Sequence, residues 1–416
     1  MLYRMIVFIL TSVSIFLFSH SSVFAHTSVV GATPKEGEVL TVQPEQIILE
    51  FSEPVTGNVV NIELLDPSAK RVQVSKVEIL DNPTKIKVKL PNLNNGTYTV
   101  RWSMISADGH PSEGSYPFSI GEEVQTNVVV EGNASGSGSG SVFSDVMIVT
   151  LRYIVEGMIL IGAGVKWLDM FVKRYRLPSI LQRMKNMKKI FFSILVVGLI
   201  AELIVYKSVI PKGSLLIHSP FSVIIMIQLL LLVLMSLQHM GNEWYALVWG
   251  FLVASFSFTG HVWITNPNWA AVIIRMVHVM SIAVWLGALI YLVLVIAWTT
   301  LYKITFDQKR FRKHFSSIAG ISFILAFLSG ELIVFLQTRN WVLFNFNSIW
   351  TNLLNIKILT VCIITIVAWR QTKTWGIDIG TVNRRLLLLE IVLAILVLLA
   401  GIWMSQVSFP VNSVTS

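Results

Sequence analysis

Between residues 26 and 122, apolar and polar side chains alternate over short runs, at 46–52, 59–65, 85–90, 97–104 and 115–120. Alternation with period two sends one face of an extended chain into a core and the other into water. Pro34, Pro54, Asp66-Pro67 and Asn94-Asn95-Gly96 fall between the runs, where turn residues belong. The pattern predicts a small all-β sandwich or barrel. From about residue 144 the period disappears and long apolar runs take over. Eight candidate spans are read at 144–165, 190–209, 220–238, 243–262, 272–298, 316–337, 352–370 and 386–405. Each is near the length that crosses about 30 Å of hydrocarbon as a helix. The expected fold is therefore multi-domain, an all-β unit followed by an all-α, eight-helix transmembrane domain.

The ends and the junction have their own signatures. Residues 1–25 read as a secretory signal, with Arg4, an apolar run at 5–19 and Val23-Phe24-Ala25 before the cut. Residues 132–141 read GNASGSGSGS, a flexible tether inside a linker at 123–143. The division expected is signal 1–25, β domain 26–122, linker 123–143, transmembrane domain 144–405 and an outer tail at 406–416.

Composition changes this picture mainly by locating the charge. A hydrophobic share of 54% against 13% charged residues, with a mean hydropathy of +0.69, puts much of the chain in lipid. The formal net charge is +9, yet the β domain carries eight Lys/Arg against twelve Asp/Glu. The positive excess lies in the membrane part, so nucleic acid is not implied. If the signal exports the β domain, the inner loops hold seventeen Lys/Arg and the outer ones only Lys207, Lys212 and Arg339. That asymmetry places the β domain and the C-terminus outside a plasma membrane. A single cysteine, Cys362, excludes an intramolecular disulfide and CxxC metal transfer. No GxxxxGK[ST] loop occurs, so no nucleotide is expected as a partner.

Candidate chemistry begins at His26, the first residue after the expected cut. A terminal histidine offers its α-amine and its ring Nδ1 to one metal ion. Asp108-Gly109-His110 adds a carboxylate and a second imidazole, and a nitrogen-rich set with one oxygen suits Cu(II). The alternative is that Asp108-Gly109-His110 is only a polar turn. Glu53 is a candidate distal ligand or a partner that holds the amine, with a solvated edge carboxylate as its alternative.

These residues sit in longer stretches that carry a resemblance. HTSVVGATPKEG from His26, LEFSEPV at 49–55 and RWSMISADGHPSEG at 101–114 resemble the CopC family of exported copper-binding β domains, of cupredoxin- or immunoglobulin-like build. The resemblance covers the whole domain and implies Cu(II) held by His26, Asp108 and His110. Some family members bind Cu(I) on a Met-rich loop, whereas this domain has only Met104.

A second constellation lies in the membrane. His261 ends span four, while Arg275, His278 and Trp285 share one face of span five, with Met276 and Met280 beside them. Glu331 on span six, Lys357 on span seven and Glu390 on span eight complete a candidate transport path. Lys357 is expected to neutralise Glu331, Glu390 to snorkel toward the inner surface, and Arg152 and Glu156 to form a local pair. The alternative makes His261 an interfacial residue, His278 a hydrogen bonder in helix packing, and the remaining charges structural ion pairs. GHVW, RMVHVMSIAVWLGA, RFRKHFSSIAG and NLLNIK, in that order, resemble the CopD family of copper membrane proteins over most of 144–405. A departure is Gly287-Ala288, where that family often has Gly-Gly. A CopC-like unit ahead of a CopD-like unit resembles the YcnJ type of copper importer in Gram-positive bacteria.

The expectation is copper acquisition. Cu(II) is captured outside, delivered to the membrane domain and passed inward, with a cytosolic copper chaperone as a possible acceptor. Copper resistance by sequestration or export is the alternative in the same class. A copper sensor and a copper-dependent oxidative enzyme are the others, and no enzymatic activity is expected.

Overall fold

The computed structural model describes residues 29–52, 55, 60–105, 111–121, 139–172, 179–210, 216–237, 239–258, 268–338, 349–376 and 378–405. The signal segment, the tail at 406–416 and most of the linker lie outside them.

Among the described residues, nine strands form the N-terminal domain. They are β1 (Val29–Thr33), β2 (Val39–Leu40), β3 (Gln46–Phe51), β4 (Asn61–Leu65), β5 (Arg71–Val72), β6 (Glu78–Ile79), β7 (Lys85–Lys89), β8 (Gly96–Ile105) and β9 (Pro111–Ile120). One sheet has the order β1-β3-β7-β6 and the other β2-β9-β8-β4-β5. The alternation read from the sequence is what packs them. On β3, Ile47, Leu49 and Phe51 point inward, and the register sets Ile47 against Val88 and Leu49 against Ile86. Ile62, Leu64, Val100, Met104 and Phe118 close the core from the facing sheet. Each such buried side chain contributes about 2 kcal/mol, which is how the domain holds without a disulfide. Met104 is fully buried in this core. At the sheet edge Glu78 faces Lys87 directly, 2.9 Å apart, and that ammonium holds the Glu78 carboxyl below its ordinary range.

Among the described residues, eight helices of fourteen residues or more follow: α1 (Ser139–Val172), α2 (Lys185–Val209), α3 (Pro220–Met235), α4 (Asn242–Ser255), α5 (Asn268–Tyr302), α6 (Gln308–Thr338), α7 (Ile349–Thr374) and α8 (Arg384–Met404). Six of them are long and apolar enough to cross a membrane, so this is a multi-pass membrane protein. The other two, α3 with 16 residues and α4 with 14, are shorter than the runs at 220–238 and 243–262 suggested. Hydropathy counts apolar residues and does not see the backbone ladder change; after Ser255 it tightens into a 3-10 turn at Phe256–Phe258. At its other end α1 takes in residues 139–143, which the sequence assigned to the linker.

α5 is the central helix. Of its most apolar stretch 61% is buried, against 22% for α2 and α6. Its contact with α1 is backbone to backbone. A Cβ on Gly287 would lie 2.4 Å from Gly164 Cα, and one on Gly164 would lie 1.9 Å from the Ala283 carbonyl oxygen. Only glycine at both positions permits that approach.

Candidate functional site

In the β domain the candidates His26, Glu53, Asp108 and His110 lie outside the described residues, and so does His261 in the membrane domain. The flanks of the first four are described. Val29, shortly after His26, pairs with Phe51, shortly before Glu53. Ile105 pairs with Pro111 on either side of Asp108 and His110. The Phe51 and Trp102 rings meet edge to face, with centroids 5.3 Å apart, and tie these strand ends together across the two sheets. The described strand ends nearest the four candidates are thus those of β1, β3, β8 and β9.

In the membrane domain, Arg275, His278 and Trp285 on α5, Glu331 on α6 and Lys357 on α7 line one cavity of about 200 Å³. α8 closes it with Gly401, Met404 and Ser405. Arg275 and Lys357 are seven or eight residues into α5 and α7, and Glu331 is seven before the end of α6. At 1.5 Å per residue this sets the charged groups about 10 Å below the helix ends. The remaining walls are apolar, among them Ile282, Phe323, Val334 and Leu354.

His278 is positioned by α6. Its Nδ1 lies 2.8 Å from the Ala326 carbonyl oxygen and 3.2 Å from Ser329 Oγ. A carbonyl only accepts, so Nδ1 carries the hydrogen and Nε2 keeps a lone pair. Gly330 makes room for the ring: a Cβ there would lie 3.0 Å from His278 Cε1. Trp285 packs on Phe323 with centroids 5.4 Å apart and forms the aromatic wall. Lys357 lies within electrostatic range of Glu331 and of Arg275, and among the described residues it forms no direct ion pair with Glu331. Its Nζ lies 3.6 Å from where a Cβ on Gly401 would sit, so α8 packs directly under the ammonium.

The Arg152–Glu156 pair is present, with Nη2 to Oε1 at 3.0 Å and Nε to Oε1 at 3.1 Å. It is not merely local. Arg152 also stacks on Phe221, 4.9 Å from the ring centroid. Glu202 of α2 is buried and in electrostatic contact with both partners, and Glu156 acts in turn on Arg275. Ionisable groups thus form a layer from α2 through α1 and α5 to the cavity. Glu202 was not singled out in the sequence, where it is a lone carboxylate in an apolar run.

One expectation, that Glu390 snorkels, needs correction. Glu390 does not line the cavity and does not snorkel; it is 6% exposed, on the same face of α8 as buried Leu387 and Ala394. The spacing i, i+3, i+7 turns that face into the helix bundle, out of reach of the surface. Met276 and Met280 do not line the cavity either, whereas Met404 does. A methionine at the end of the last span carries no polar signal, and its role depends on α8 pairing with α7.

Comparison with known proteins agrees with this architecture. Residues 29–121 match the family model described as the CopC domain. The chain is 25% identical over 349 residues to the copper transport protein CutJ of Bacillus subtilis (strain 168), covering 75% of this chain and 62% of CutJ. It thus spans a little under two thirds of that relative's length, and the match runs well past the β domain into the helices. Protein YobA of Escherichia coli (strain K12) is 32% identical over 101 residues, 24% of this chain and 82% of YobA. Among solved structures, CopC from Methylosinus trichosporium OB3b matches at 28% identity over 24% of this chain and 100% of that one, with a TM-score of 0.22. PcoC from Escherichia coli matches at 30% identity over 23% and 99%, with a TM-score of 0.21. By the match of its β-sandwich to the CopC domain and to YobA, and by the likeness of three quarters of its length to CutJ, the chain belongs to the CopC family, in the arrangement where a CopC domain precedes a CopD-like helical membrane domain.

Proposed function

We propose that this protein takes up copper across the plasma membrane. The β domain, held outside, captures Cu(II) with the amine and imidazole of His26 and with Asp108 and His110, while Glu53 supports the amine. Copper then passes by His261 into the cavity of Arg275, His278, Trp285, Glu331 and Lys357, and inward from there to a cytosolic acceptor. The observation that carries this reading is the cavity, a set of ionisable groups and one imidazole enclosed in lipid-spanning helices behind a CopC domain. Ionisable side chains at that depth are costly and are kept for function. A relative named as a copper transport protein supports a role in carrying copper. Uptake of a cation needs no nucleotide, since a negative inside potential favours it by about 2.3 kcal/mol per charge per 100 mV.

Copper resistance is the second reading. It is favoured by relatives named copper resistance protein C, from Xanthomonas campestris pv. juglandis, and PcoC, a copper resistance protein from Escherichia coli. Total cell copper at limiting external copper, measured by mass spectrometry, separates the two. Cells with the intact protein are expected to hold more copper than cells without it. His26→Ala with His110→Ala, and separately His278→Ala, should return copper to the level without the protein. Less copper with the intact protein would mean resistance and overturn uptake.

A further inference from the structure

The cavity's donors and charges are unlike those of the β domain. Its walls offer one imidazole, His278 with Nε2 unprotonated, one thioether, Met404, and one carboxylate, Glu331. Among the described residues no three His, Cys, Asp or Glu side chains gather anywhere. Cu(II) prefers a tetragonal set of nitrogen and oxygen donors, and thioether sulfur selects Cu(I). The fixed charges point the same way. Two cations, Arg275 and Lys357, share the cavity with the single carboxylate of Glu331. Repulsion from that excess grows in proportion to the charge of an incoming ion, and the cost of leaving water grows with its square. A divalent ion is therefore penalised severalfold more than a monovalent one. The β domain is the opposite case: acidic overall, with its one methionine, Met104, fully buried in the core.

Resting on the reading of this cavity as a copper site, we infer that it holds copper as Cu(I), with His278 and Met404 as its donors, and discriminates against Cu(II). The chain then carries two sites of opposite hardness in series. Copper captured as Cu(II) enters the cavity only after reduction by an external reductant of the thiol class. Two Cu(II) take one electron each from two thiols, which join as a disulfide and release two protons.

The test uses the full chain in lipid nanodiscs, with His26→Ala and His110→Ala removing the outer site. Three probes are applied: Ag(I), which is soft and not reduced further by thiols; Cu(I) under ascorbate without oxygen, in competition with bicinchoninate; and Cu(II) without reductant. One Ag(I) or Cu(I) per chain should remain bound, and Cu(II) should bind at least a hundredfold more weakly. Met404→Leu should weaken Ag(I) at least tenfold and Met404→Cys, which restores a soft donor, should recover it. Lys357→Met should raise Cu(II) affinity at least tenfold. Cu(II) held as tightly as Cu(I), unchanged Ag(I) affinity in Met404→Leu, or unchanged Cu(II) affinity in Lys357→Met would overturn the inference. If His278→Ala altered the binding of neither metal, the underlying reading of the cavity as a copper site would fall instead.

Discussion

His278 Nδ1 on α5 donates its hydrogen to the Ala326 carbonyl on α6 across 2.8 Å. That bond aims the ring, fixes its tautomer and leaves the Nε2 lone pair available for the proposed copper. Ser329 Oγ, at 3.2 Å, adds a weaker contact to the same nitrogen. His278→Ala should therefore abolish copper uptake, while Ser329→Ala should lower it by no more than severalfold. Equal losses in the two variants, measured as cell copper at matched expression, would mean that α6 serves the ring in some other way.

Gly330→Ala separates stability from function. Alanine is about 1 kcal/mol better than glycine in a helix, but its Cβ would lie 3.0 Å from the His278 ring. The variant should melt no lower than the parent in detergent and yet transport several times more slowly. A normal rate would show that the ring yields without losing its aim.

Two carboxylates of the membrane helices should behave differently. Glu331→Gln removes the negative charge facing Lys357 in the cavity and should lower uptake at least tenfold. Glu390→Gln changes a side chain that is 6% exposed and away from the cavity. It should leave uptake within twofold and leave the melting temperature unchanged or higher, because an unpaired carboxylate in apolar surroundings is costly. Loss of uptake in Glu390→Gln at normal expression would put Glu390 back on the path.

The sandwich depends on apolar burial alone. Leu49→Ala, at a fully buried position opposite Ile86, should cost about 2–5 kcal/mol. Urea unfolding of residues 26–122, followed by the fluorescence of Trp102, reads this directly.

The outer site is tested by one added residue before His26. Peptide-bond formation at the terminus removes the α-amine ligand, so Cu(II) affinity of the β domain should drop at least a hundredfold. In the parent domain affinity should decline in acid, since amine and imidazoles bind only when deprotonated. Calorimetry across pH 5 to 8 checks both, and unchanged affinity in the extended form would remove the amine from the site.

Much of this architecture could be read before any coordinates. The runs at 46–52 and 85–90 became β3 and β7 because strict alternation at Ile47, Leu49, Ile86 and Val88 leaves one register that buries them all. β1 was missed, since VVGAT at Val29–Thr33 alternates weakly around its glycine. The ionisable residues of α5, α6 and α7 were legible because charge inside an apolar run is conspicuous. Which of them meet was not. Glu331 and Lys357 line one cavity, Glu390 turns away from it, and Met404 enters it unannounced. Those outcomes depend on helix rotation and neighbour choice, which hydropathy does not encode. The lengths of α3 and α4 are overread because hydropathy continues past the point where the helical hydrogen-bond ladder ends.

The glycine contact between α1 and α5 also sets where motion can occur. With Gly164 and Gly287 in backbone contact, a tilt of α5 would open a void or drive main chain into main chain. The α5 wall of the cavity is therefore held in place from the α1 side, where neither backbone can approach further. Because His278 stands on α5 and is aimed by α6, any shift between those two helices would change the direction in which its Nε2 points.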